Sequence, residues 1–142
     1  MITQLTSIAS DTAFGLVGAV LAQAKSQGLN VAVCVVDVHG QVLGSARMDG
    51  ASPPILEFAT DKAFTAANMR RTTEGFAARM GSSPALTMGL ASRPRLLVWG
   101  GGLPIVHEGK VVGGIGVSGA TDAEDIACAQ AALRAAGLGW EI

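Results

Sequence analysis

The run Val31-Ala-Val-Cys-Val-Val36, followed by Asp37-Val-His-Gly-Gln41 and then by Val42 to Arg47, constrains this chain more than any other feature. Six apolar residues rich in β-branched side chains are too few for a helix and show no polar alternation. They predict a strand buried on both faces. Gly40 supplies the positive φ that a tight turn wants, and Val42 to Arg47 predicts the returning strand. Strands joined by a hairpin pair antiparallel.

The rest of the chain alternates helix and strand signals around that hairpin. Leu5, Ile8, Ala9, Leu16, Val20 and Ala24 follow helical spacing, and predict a long first helix from Thr3, as N-cap, to Gln27, stopped by Gly28. Ser52-Pro53-Pro54 is a helix start, and Ile55 to Met69 predicts its body. Shorter helices are expected around Glu74 to Arg79 and from Ser83-Pro84 to Leu90. Arg95 to Trp99 predicts a third strand, broken by Gly100-Gly101-Gly102. Extended structure resumes over Leu103 to Val106, turns at His107 to Lys110, and returns over Val111 to Val117. Thr121-x-x-Glu124 is a capping box that opens a final helix ended by Gly137. This order predicts an α+β fold in one domain spanning residues 1–142, with no internal repeat or linker.

Composition narrows the partners. Of 142 residues, 49% are apolar and 15% charged, against about 25% charged in an average globular domain. That excludes intrinsic disorder. A net charge of −1 gives no footprint for nucleic acid. So few charges predict that part of the surface is covered in a homo-oligomer. The longest strongly apolar run, Val31 to Val36, is far short of the roughly 20 residues that cross a membrane. The first residues lack the basic region of a signal peptide, which predicts a cytoplasmic protein. Cys34 and Cys128 read as small buried hydrophobes, with no ligand spacing for a metal.

Several motifs bear on chemistry. Gly114-Ile-Gly116-Val-Ser-Gly119 has the letters of a dinucleotide fingerprint, but no second strand follows it. Its better reading is close approach of a helix or ligand to a strand. Gly100-Gly101-Gly102 either bends the chain between strands or turns its N–H groups toward an anion. Arg47 either pairs with Asp49 on the surface or meets a ligand carboxylate with its planar fork. Lys62 lies beside small Ala59, Ala63, Ala66 and Ala67. It either snorkels to solvent or reaches a ligand. His39 and His107 fall at predicted turns, without the spacing of metal ligands.

Together, Val33-Cys-Val-Val-Asp37-x-x-Gly40, Arg47-Met-Asp-Gly-Ala51, Lys62-Ala63-x-Thr65-Ala66, Gly100-Gly-Gly-x-Pro104-Ile105 and Gly109-x-Val-Val-Gly113-x-Ile-Gly-Val-Ser118-Gly119 occur in that order. This set resembles the GlcG/HbpS-like family of haem-binding and accessory proteins, which includes the C-terminal domain of PduO. The resemblance runs from about Leu5 to Leu133 and implies a profilin-like, five-stranded antiparallel sheet flanked by helices, in homo-oligomers. It implies haem as a cofactor, although the histidine that ligates haem near the start of the PduO-type domain has no counterpart between Thr3 and Gln27.

Two functions are therefore expected. The first is an oligomeric binder of haem or another small ligand, with Arg47, Asp49, Lys62, Gly100, Gly101 and Gly102 as ligand-binding residues. The alternative is a cofactor-independent isomerase, tautomerase, lyase or dehalogenase acting on a small carboxylate. There, Lys62 or Asp49 would move a proton once burial shifts its pKa.

Overall fold

A computed structural model describes all residues, 1–142. Its elements are α1 (Ser10–Ser26), β1 (Ala32–Val36), β2 (Val42–Arg47), α2 (Pro53–Met69), α3 (Thr73–Met80), α4 (Pro84–Ala91), β3 (Gly102–His107), β4 (Lys110–Ser118) and α5 (Asp122–Ala135). The strands form one antiparallel sheet in the order β2-β1-β4-β3. Helices α1 and α5 cover one face and α2 covers the other.

The central strand is buried along its whole length, as its sequence predicts. Val33 and Val35 of β1, with Val31 just before it, join Leu16, Val20, Ile115, Val117 and Leu133 in the larger core. Ala32, Cys34 and Val36 face Ala59, Ala63 and Ala67 of α2. Alternation along a strand thus places Cys34 on one face, while Cys128 belongs to the core on the other. The β1–β2 turn is locked by Asp37, whose Oδ1 accepts from His39 N at 2.8 Å and Gln41 N at 3.0 Å. Gly40 sits there at φ +86°.

The fold is α+β, but two sequence expectations are corrected. The first helix begins at Ser10 rather than Thr3, with no side-chain cap at Ala9. The residues before it serve the sheet instead. Ile8 N donates to Val112 O at 2.9 Å, and Ser7 Oγ accepts from Val38 N at 3.1 Å. This strap ties the chain start to the β1–β2 turn and to β4.

The sheet has four strands, not the five that the resemblance implies. Arg95 to Trp99 forms no ladder. Its backbone polar groups find a side chain rather than a strand: Thr65 Oγ1 donates to Arg95 O at 3.1 Å and accepts from Leu97 N at 2.9 Å. Arg95 has φ +74°, which breaks an extended run, and its guanidinium stacks 3.7 Å from the centre of the Phe64 ring. Beyond β3 the only further pairing is a single bridge between Val106 and Gly139. No helix is long and apolar enough to cross a membrane.

Candidate functional site

The sequence-predicted polar residues separate into two groups. Lys62 and the glycine loop come together. The α2 backbone carries Lys62 against β4, where Nζ donates to Val117 O at 2.9 Å and lies 3.4 Å from Asp125 Oδ2 of α5. Both side chains of this ion pair are 2% exposed. Asp125 Oδ1 also accepts from Ala120 N at 3.1 Å. Gly101 closes the pocket, since a Cβ there would sit 3.1 Å from Lys62 Nζ and collide with Val117 O. Burial lowers the Lys62 pKa and raises that of Asp125, each offset in part by the other's charge. The ammonium is therefore committed to protein partners and shut off from a ligand. It ties α2, β4 and the start of α5 together.

The glycine loop is similarly engaged. Gly100 N donates to Asp122 Oδ2 at 3.2 Å, and Gly102 N to Thr73 Oγ1 at 2.9 Å. Two of the three N–H groups are thus bonded within the chain. A cavity of about 360 Å³ opens beside Gly101 and Gly102, with Glu74, Gln130, Trp140 and Glu141 in its lining. Two carboxylates at its walls oppose an anionic ligand.

Arg47 and Asp49 stand apart from Lys62. Arg47 pairs across the sheet with Ala32, and Ala32 with Ser118, so Arg47 shares the sheet end of the glycine loop. The intervening strands hold β2 about 14 Å from β3, at about 4.8 Å per strand. Arg47 Nη1 donates to Ala51 O, which fastens the β2–α2 connection. Asp49 is exposed, and no ion pair joins it to Arg47.

A site that sequence reading missed lies at the opposite end, around the β3–β4 hairpin and the chain-start strap. His107 pairs with Lys110 across that hairpin. On one side, a cavity of about 360 Å³ is lined by Leu5, Val38, Val111 and Ile142 with the cations Arg70 and Lys110. On the other, a cavity of about 290 Å³ is lined by Ile8, Thr12, Val112, Ala136 and Leu138 with His107. Thr6 of the strap lines both. Apolar walls with two cations on one side and an imidazole on the other form a mixed surface suited to an apolar anion. The signal was hidden because Arg70 and the strap are far in sequence from the His107–Lys110 turn and reach it only through the fold, Arg70 from the αL end of α2 at φ +55°.

The family model described as haem degrading protein HbpS-like matches residues 8–134. The chain belongs to the HbpS-like family. It is 31% identical to protein GlcG of Escherichia coli K12 over 111 residues, 78% of this chain and 81% of GlcG. The crystal structure of HbpS superposes with a TM-score of 0.86 at 35% identity, covering 94% of this chain and 93% of HbpS. That of a PduOC–haem complex does so with 0.86 at 27% identity, covering 96% of this chain and 100% of PduOC. This HbpS-like chain thus shares the architecture of these two structures over 94% or more of its length.

Proposed function

We propose that this chain is a haem-binding accessory protein that works as a homo-oligomer. The observation that carries the haem reading is its likeness to the PduOC–haem complex over that whole domain. The chain's own residues fit the group at the hairpin end. Haem presents an apolar ring, two carboxylates and an iron that takes His, Cys, Met or Tyr donors. Here Arg70 and Lys110 line one cavity with apolar walls, and His107 lines a second, smaller one across the strap. Arg70 and Lys110 would hold the carboxylates, and the bound group would supply redox and oxygen chemistry.

A hemin titration of the purified chain, followed by absorbance, tests this. The expected result is a saturable, stoichiometric Soret shift. A featureless titration overturns the haem reading.

The small-carboxylate enzyme has less support. Its proton carriers would be Lys62, buried against Asp125, and Asp49, exposed at the β2–α2 connection. No path of hydrogen bonds joins them.

The oligomer reading rests on uncovered apolar side chains. Helix α4, Pro-Ala-Leu-Thr-Met-Gly-Leu-Ala, buries none of its residues, and Met88 on it is 74% exposed. Phe14 on α1 and Trp99, stacked edge-on against Phe58, are 58% and 48% exposed. Light scattering of the eluting peak is expected to give a mass of two or more chains. A mass of 14.3 kDa would show a monomer.

A further inference from the structure

We propose that the cavity beside the glycine loop is a second binding site, for a small protonated amine with an apolar body. It lies at the start of β3 and shares no lining residue with the two cavities at the hairpin end. It therefore stands whether or not the chain binds haem. Three parts of the fold build it around a floor of Gly101 and Gly102. Thr73 Oγ1 accepts from Gly102 N at 2.9 Å, which brings the start of α3, with Glu74, to the loop. Helix α5 supplies Ile126 and Gln130. The segment after α5 supplies Trp140 and Glu141. It is held there by Gly139, whose N–H and carbonyl both bond to Val106 of β3, at 2.9 and 2.8 Å.

The lining selects the ligand. Its volume of about 360 Å³ falls within the range of about 300–1,000 Å³ of small-molecule sites. Leu103, Ile126 and the Trp140 indole are walls for an apolar body. Among them, Glu74, Glu141 and the Gln130 side-chain carbonyl are acceptors for N–H donors, and no Lys, Arg or His joins the lining. Neither glutamate is in an ion pair. The acids at the start of α5 are already engaged: Asp122 with Gly100 N, Asp125 with Lys62 and Ala120 N, and Glu124 in its capping box. The Trp140 ring already serves as a cation platform, since the Arg134 guanidinium stands 5.1 Å from its centre. A neutral ligand would leave both carboxylates without a counter-charge, and an anion would be repelled. A metal ion is the poorer occupant, because no group of three or more His, Cys, Asp or Glu able to hold one gathers in the chain.

The test is a titration of the isotope-labelled full chain with phenethylammonium, followed by nuclear magnetic resonance. The readout is the indole N–H resonance of Trp140, assigned by its loss in Trp140→Phe. The expected result is a saturable shift of that resonance, and none with phenethyl alcohol, which has the same apolar body without the charge. Glu74→Gln and Glu141→Gln are each expected to weaken binding about tenfold, the scale of one charge-assisted hydrogen bond. The double variant is expected to abolish it. Both side chains are exposed, so the spectra of the variants are expected to match wild type away from the cavity, which shows that they fold. The proposal is overturned if the Trp140 resonance of wild type does not shift saturably. It is overturned equally if the alcohol binds as well as the ammonium, or if the double variant keeps the wild-type affinity.

Discussion

Asp125→Ala is expected to cost the fold about 3–5 kcal/mol, measured by chemical denaturation at neutral pH. That is the typical loss when one partner of a buried ion pair is removed and the other is left uncompensated. Lys62 and Asp125 are each 2% exposed, so the remaining ammonium has no water to turn to. Its bond to Val117 O remains, but a neutral carbonyl does not balance a charge. Ala120 N would lose its acceptor as well. Replacing both residues, Lys62→Met with Asp125→Leu, is expected to return stability to wild type or above, since the desolvation of two ions disappears.

The pH response provides a second readout. Desolvation lowers the Lys62 pKa, against the pull of Asp125. A lysine whose folded pKa lies below its unfolded one reduces stability at neutral pH, and the loss is relieved as pH rises through the folded value toward the unfolded one. Asp125 has the mirror form: its raised carboxyl reduces stability at neutral pH and is relieved as pH falls through its folded value. In Asp125→Ala the lysine loses its chief counter-charge. The variant should therefore regain stability relative to wild type as pH rises from neutral into the alkaline range. A loss below about 1 kcal/mol, the range of exposed pairs, with no such recovery would show that the ammonium reaches solvent.

This pair also marks where sequence reading stopped. Lys62 was legible as a lysine beside a small-residue stripe, but its partner lies 63 residues away on α5. Nothing in the local pattern of Asp125, fourth in the helix and just after the capping-box Glu124, distinguishes it from a first-turn acid that serves the helix dipole. The elements themselves were far more legible, because their signals are local. Val42–Arg47 forms β2 over the residues predicted, and the Thr121–Glu124 capping box is present with both of its bonds. The failures occurred where tertiary partners overrode local preference. Leu5 and Ile8 have helical spacing, yet Ile8 bonds to β4. Arg95 to Trp99 has strand composition, yet the hydroxyl of Thr65 occupies two of its backbone groups. At the hairpin end the His107–Lys110 turn was legible, but Arg70 and the strap join it only through long-range contacts that no local pattern shows.

Gly116→Ala is expected to cost about 3 kcal/mol, on the order of 10 °C in Tm, and it tests why the chain carries a glycine-rich β4. Gly116 pairs with Cys34 of β1 and Gly102 of β3, in the middle of the sheet, on the face that α2 covers. A Cβ there would collide with Ala59 O, lie 2.7 Å from Ala63 N and 3.0 Å from Lys62 Cβ. Two of those three are backbone atoms, so no rotamer change makes room and the helix itself must move outward. That movement would loosen Ala59, Ala63 and Ala67 from Cys34 and Val36 and pull Lys62 from Asp125. Gly18→Ala is the matching control. Gly18 is exposed in α1 with nothing within 4 Å of a new Cβ, and alanine there is expected to add about 0.5–1 kcal/mol through helix propensity alone. Opposite signs from the same added methyl would establish that Gly114-x-Gly116-x-x-Gly119 is a packing device, in which a helix backbone occupies the space that a nucleotide phosphate takes in a dinucleotide fold. If Gly116→Ala melts within a degree or two of wild type, α2 does not sit as close to β4 as its alanine face allows.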